Sequence, residues 1–237
     1  MNTTKTAIIT GAGKGIGKAI AIGLATLGYY TILAGRNLEQ LEITASEIQE
    51  NSRIIPKIIQ LDITQTSEIK NAISSIVSEY KRIDILVNNA GVYFEGTLNI
   101  SESDFRKMLD TNLTAQHTIL KEVIPVMKKQ NSGYIFNIAS RSGKVGFAES
   151  GAYSASKFAL VGLNEALYRE LTPLGISVTA LCPGWVNTEM ANKAGTPLKE
   201  NEMIQPDDLF LTIKWLLSLS PGACVKEIVL ETPLSIS

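Results

Sequence analysis

Residues 6–10, Thr-Ala-Ile-Ile-Thr, are a short, apolar, β-branched run that ends in Gly11-Ala12-Gly13-Lys14-Gly15-Ile16-Gly17. Apolar residues then recur at helical spacing (Ile16, Ala19, Ile20, Leu24, Leu27) until Gly28. The pattern predicts a strand, a glycine turn and a helix in direct succession. Such a unit belongs to layered α/β architectures, in which further strands extend the sheet and helices cover it. Glycines let the backbone approach a pyrophosphate closely, and free amides at the helix start favour its negative charge. The spacing Gly11-x-x-x-Gly15-x-Gly17 departs from the commonest dinucleotide fingerprint, and a plain tight connection is the competing reading of the turn.

The alternation continues along the chain. Strands are expected at residues 30–34, 54–61, 83–87, 133–139, 176–182 and 227–230. Helices are expected at 38–50, 66–80, from 101 toward 129, at 152–171, and from 206 to before Pro221. Pro56 suggests that the third strand lies near a sheet edge, and Pro125 is expected to kink the end of its helix. Residues 189–205 show no pattern and contain Gly195 and Pro197, which suggests a mobile, substrate-binding loop over a pocket. The 237 residues contain no linker, so 1–237 read as a single domain. Its expected form is a Rossmann-like, doubly wound parallel sheet of about seven strands with helices on both faces.

A net charge of -1 gives no electrostatic reason to expect nucleic acid or an anionic membrane as partner. No apolar run reaches the ~18 residues of a membrane span. Met1 to Lys5 run straight into the expected first strand, so no signal or transit peptide is expected. The two cysteines, Cys182 and Cys224, sit in apolar contexts and read as reduced, buried thiols of a cytoplasmic protein. His117 is the only histidine, and no metal site is expected.

The second strand ends at Gly35-Arg36-Asn37, where a dinucleotide site meets the adenosine ribose. An NAD site usually places a carboxylate there, whereas a 2′-phosphate needs positive charge. Arg36 with Lys14 would suit the phosphate, or both are ordinary solvated cations. NADP is therefore expected over NAD. Asp62 follows the third strand and either caps the next helix or accepts a hydrogen bond from adenine. Asn88-Asn89-Ala90-Gly91 would make a polar floor beneath a ribose, or is a plain loop. Tyr153 and Lys157 stand four apart on a helix, so phenol and ammonium share one face. An adjacent fixed cation would lower the phenol from its ordinary ~10 toward a useful acid–base range. Ser140 ends the fifth strand thirteen residues earlier, close enough for a loop to bring hydroxyl and phenol together.

Taken together, Thr10-Gly11-Ala12-Gly13-Lys14-Gly15-Ile16-Gly17, Asp62, Asn88-Asn89-Ala90-Gly91, Asn112, Ser140, Tyr153-x-x-x-Lys157 and Pro183-Gly184 resemble the short-chain dehydrogenase/reductase family over nearly the whole chain. The resemblance implies hydride transfer between NADPH and a small-molecule carbonyl or alcohol. Tyr153 would be the general acid, Lys157 would tune it and hold the nicotinamide ribose, and Ser140 would bind the substrate oxygen. Asn112 would position a water linking Lys157 to solvent. Asp62 would contact adenine, Thr188 the nicotinamide carboxamide, and Val186 would contribute backbone. A homodimer or homotetramer is implied as well. Glu231-Thr232-Pro233 departs from the Asp/Asn-Gly-Gly segment that members often carry after the last strand. Asn131 and Leu174 stand about where 3-oxoacyl-carrier-protein reductases place basic residues, leaving Lys128 and Lys129 nearby as substitutes, so reduction of a carrier-bound 3-oxoacyl substrate is the alternative activity and is not the favoured one. Tyr93, Phe94, Phe147, Trp185 and Met190 are expected on rim loops, lining an apolar pocket or packing. A non-catalytic NADP sensor or a methyltransferase would have no use for Asn112, Ser140, Tyr153 and Lys157 together.

Overall fold

The computed structural model describes residues 5–235, and the reading of residues 1–4 lies outside them. Seven parallel strands form one sheet: β1 (Thr6–Thr10), β2 (Tyr30–Gly35), β3 (Lys57–Gln60), β4 (Ile85–Asn88), β5 (Gly133–Ile138), β6 (Ile176–Pro183) and β7 (Glu227–Leu230). Their order is β3-β2-β1-β4-β5-β6-β7. The chain winds outward from β1 in both directions. Ile8 stands beside Ile32 on one side and Leu86 on the other.

Both faces of the sheet are covered, which is why the strands read as continuous apolar runs. Side chains alternate across the sheet: Ile9, Leu33, Val87 and Phe136 point into one core, and Ile8, Ile32, Leu86 and Ile135 into the other. The first core is closed by α1 (Gly15–Thr26), α2 (Leu38–Asn51) and α8 (Pro206–Ser218), through Leu24, Ile48 and Ile213. The second is closed by α3 (Thr66–Tyr80), α5 (Ala115–Gln130) and α6 (Gly151–Leu171), through Ile73, Val123 and Leu171. Each fully buried Leu or Ile adds about 1.5–3 kcal/mol of stabilisation.

The strand order reverses between β1 and β4. At such a switch point the loops leaving the two strands part and open a crevice at their carboxyl ends. Gly11 and Asn89 begin those two loops.

Four features differ from the sequence expectations. The long helix from 101 is α4 (Glu102–Leu109), then a π-helical turn at Asp110–Thr114, then α5. Apolar periodicity continues through the wide turn and gives no sign of it. The third strand starts only at Lys57, after Pro56, which lacks an N–H for the ladder; β3 is an edge strand as expected. Residues 189–205 are not patternless: they contain α7 (Glu189–Lys193) and a 3₁₀ turn at Glu200–Glu202. Cys182 is buried as expected, but Cys224 is exposed in the segment between Pro221 and β7. Among the described residues, no helix is long and apolar enough to cross a membrane.

Candidate active site

The glycine turn after β1 is pinned to the turn after β4. Asn89 Nδ2 donates to the carbonyls of Thr10 and Gly11 at 2.8 and 3.2 Å. Thr10 Oγ1 accepts from the backbone N–H groups of Asn89 and Ala90 at 3.0 and 3.1 Å. Gly11 has φ +65°, and a Cβ there would stand 2.8 Å from Asn89 Nδ2. Only glycine suits both the conformation and the approach. Thr10 was not among the expected site residues; its signal was a threonine at the strand's last position, immediately before the glycines.

Asn112 sits in the π-helical turn and is fully buried. Its amide pairs with the backbone of Val92 in both directions, accepting at 2.8 Å and donating at 2.9 Å, and also donates to Ser156 Oγ at 3.1 Å. The extra residue of the wide turn turns this side chain toward the loop after β4. The Asn112 side chain thus holds the Asn89–Val92 wall in place. Asn112→Ala should cost about 1–3 kcal/mol, because it leaves the part-buried Val92 N–H and carbonyl without their partner. A lowered urea midpoint would show this, and a midpoint unchanged from wild type would contradict it.

Tyr153 and Lys157 lie one turn apart near the start of α6. The Lys157 Nζ donates to the Ile138 carbonyl at 2.9 Å and stands 5.6 Å from the centre of the Tyr153 ring. The Ser140 hydroxyl lies near enough to the Tyr153 phenol to favour its ionised form. Ser140 Oγ also accepts from the N–H of Ser142 at 3.0 Å, which fixes the hydroxyl as it leaves β5. Tyr93 meets the Tyr153 ring edge-on, with centroids 5.3 Å apart, and its hydroxyl pairs with Ser150 at 3.2 Å.

Burial pushes the Tyr153 phenol up to about 12, against a lowering contribution from Ser140. Burial also brings the Lys157 amine down to about 8. The expected drop in the phenol's pKa is therefore reversed in the protein alone, because desolvation outweighs a cation held at this distance. At neutral pH the pair is a protonated phenol beside an ammonium, the state needed to donate a proton. Burial likewise raises the Cys182 thiol to about 11, so it stays protonated behind Ser140.

These groups open on one cleft of about 1790 Å³. Its walls carry Gly11, Lys14, Gly15, Ile16, Arg36, Asp62, Asn89, Ala90 and Gly91. Ser140, Tyr153, Lys157, Pro183, Gly184, Val186 and Thr188 line the same cleft, with Gly91 beside Lys157 and Gly15 beside Thr188. Three expected residues are not on the wall. Gly13 packs on Gln40, Gly17 packs on the Gly11 carbonyl, and Asn112 lies behind Gly91. Of the rim aromatics and Met190, Tyr93, Phe147, Trp185 and Met190 line the cleft. Phe94 does not, and instead lies beneath the Lys107 ammonium.

Asp62 does not cap α3, whose N-cap is Gln65; it accepts from the N–H and hydroxyl of Thr64. Burial raises its carboxyl, but Thr64, with Arg36 and Lys107 nearby, carries it below its ordinary value overall. Lys14 is not a free cation, since it pairs with Glu189 of α7 at 2.5 Å. Lys14, then Lys193, hold the Glu189 carboxyl down to about 2. Thr188 caps α7 by accepting from the Ala191 N–H, and its hydroxyl donates to the Val186 carbonyl.

Residues 5–199 match the family model described as short chain dehydrogenase. The chain belongs to the short-chain dehydrogenase family. Among solved members, a β-ketoacyl-[ACP] reductase (FabG) from Bacteroides thetaiotaomicron is 49% identical, with a TM-score of 0.88 and 99% of each chain covered. An actinorhodin polyketide ketoreductase solved with NADPH is 30% identical, with a TM-score of 0.89 over 98% of this chain and 96% of that one. The 3-oxoacyl-[acyl-carrier-protein] reductase FabG of Staphylococcus aureus is 35% identical over 86% of this chain and 84% of its own length. The doubly wound sheet is the fold these short-chain dehydrogenases share.

Proposed function

We propose that the protein is an NADPH-dependent carbonyl reductase that converts a 3-oxoacyl thioester to its 3-hydroxyacyl form. The observation that carries this reading is the meeting of Ser140 and Tyr153, with Lys157 beneath, on the same cleft as the glycine turn. The thioester class is supported by the 49% identity with a β-ketoacyl-[ACP] reductase across 99% of both chains.

The residues present fit a nicotinamide dinucleotide. A Cβ on Gly91 would lie 3.2 Å from Asn112 Oδ1 and 3.8 Å from Lys157 Nζ, so glycine keeps the strip beside the lysine open. Gly11, Gly15 and Ile16 would cradle the pyrophosphate, Asp62 the adenine, and Asn89, Ala90 and Lys157 the ribose next to the nicotinamide. Pro183, Gly184, Val186 and Thr188 would close around the carboxamide. When bound, NADPH supplies the hydride. A substrate carbonyl oxygen that gains negative charge in the reduction would face Ser140 and Tyr153. Ser140 donates a hydrogen bond to that developing charge, and Tyr153 gives it a proton. The amine of Lys157 stabilises the phenolate left behind. Asn112 supports this set by holding the loop against which Lys157 lies. The short α7 and the remainder of 189–205 would form the substrate side of the pocket. Reduction is the working direction, in the cytoplasm, by a homodimer or homotetramer.

Purified protein with NADPH and acetoacetyl-CoA should oxidise the nucleotide and yield 3-hydroxybutyryl-CoA. Tight binding of NADPH without oxidation across ketones, aldehydes, quinones and acyl thioesters would replace the enzyme by a sensor. The choice of NADPH rests on Arg36, exposed on the cleft with Gly35 where an NAD site places an acid. Arg36→Asp should cut the ratio of kcat/KM for NADPH over NADH by about 10- to 100-fold, the size of a charge-assisted bond lost. An unchanged ratio would count against the phosphate contact.

A further inference from the structure

The turn that carries Ser140 is tied to the carboxyl-terminal strand by two ion pairs. Arg141 meets Glu231, the residue after β7, at 2.6 Å, and Lys144 meets Glu227, the first residue of β7, at 3.0 Å. The Arg141–Glu231 side chains are only 19% and 29% exposed, so this pair is shielded more than an ordinary surface bridge. Arg141 opens the 3₁₀ turn Arg141–Gly143, and Ser142 of that turn donates to Ser140 Oγ. The Arg141 guanidinium also lies over the Phe147 ring at 5.1 Å, and both residues line the cleft. One carboxylate beyond the last strand therefore touches, through Arg141, both the group that aims Ser140 and an aromatic on the pocket wall.

We propose that Glu231 is a positioning residue that, by holding Arg141, fixes the turn orienting the Ser140 hydroxyl and seats Phe147 against the substrate. Its catalytic consequence rests on the carbonyl-reductase reading; its structural consequence does not.

The test compares wild type, Glu231→Gln, Glu231→Asp and Arg141→Met as full-length protein. The backbone amides of Gly143, Lys144 and Val145 are bonded within the turn, to Ser140 and Arg141 carbonyls. In Glu231→Gln and Arg141→Met these three should exchange at least about tenfold faster, while β1 and β4 amides keep their protection. With NADPH and acetoacetyl-CoA, kcat should fall about 10- to 100-fold at an NADPH KM within twofold of wild type. Glu231→Asp, which keeps the charge, should recover most of both losses. Unchanged exchange of the three amides in either variant would overturn the proposal, whether or not the probe is a substrate. Faster exchange with an undiminished kcat would overturn the positioning role. If wild type leaves the probe unreduced, the carbonyl-reductase reading loses and the exchange experiment alone decides the tie.

Discussion

Tyr153→Phe should lower kcat for acetoacetyl-CoA reduction by about 10²- to 10⁴-fold, the range of a positioned general acid. The ring and its edge-on contact with Tyr93 would survive, so NADPH affinity should stay within a few-fold of wild type. Only the proton is removed. Ser140 would remain to bind the oxygen, but no group within the Tyr153–Ser140 pair could then protonate it. Stopped-flow NADPH oxidation together with nucleotide titration separates the two effects. Near-normal turnover would remove Tyr153 from the chemistry, and lost nucleotide affinity would show that the substitution acts through the fold.

Lys157→Met should suppress turnover and weaken nucleotide binding together, because one amine is assigned to the phenolate and to the ribose. A second, independent signature lies in stability. Burial brings the Lys157 amine to about 8 from an ordinary lysine value of 10.5. Between those two values the unfolded chain holds more protons than the native one, so native stability rises with pH across that window. Below it the lysine is charged in both states and its burial cost is constant. Methionine has no such titration. Wild type should therefore gain on Lys157→Met by about 3 kcal/mol between pH 8 and 10.5. Tyr153, pushed up to about 12, contributes stability that is lost only as pH rises from 10 through that value, and it does so in both proteins. Urea midpoints measured at pH 7.5 and 10.5 check the difference. A constant gap would mean that the amine is not desolvated as the structure has it.

Much of this site is legible in the sequence because its parts are local. The glycines follow their strand and open their helix within one stretch, and Tyr153 and Lys157 are fixed side by side by helical periodicity alone. The double winding follows equally from strands and helices that alternate with apolar runs. What escaped the sequence depends on distance along the chain. Lys14 finds Glu189 across 175 residues, which no local pattern announces, and α7 is too short to display a period. The π-helical turn leaves the apolar repeat intact while redirecting Asn112. Thr10 stands in the sequence as the residue that opens the glycine motif, but its role as acceptor for the turn after β4 depends on a contact 80 residues away. Spacing places the Tyr153 phenol next to the Lys157 amine, but the direction in which each pKa moves depends on burial. Burial is a property of the packed molecule.

The central claim is that this cleft moves hydride onto a carbonyl while Tyr153 supplies the proton. The most direct measurement uses NADPH deuterated at the transferred position, with acetoacetyl-CoA, and mass analysis of the product. Wild type should give 3-hydroxybutyryl-CoA one deuterium heavier, bound at the former carbonyl carbon, and Tyr153→Phe should give almost none. A product without deuterium, or equal labelled product from both proteins, would contradict the account.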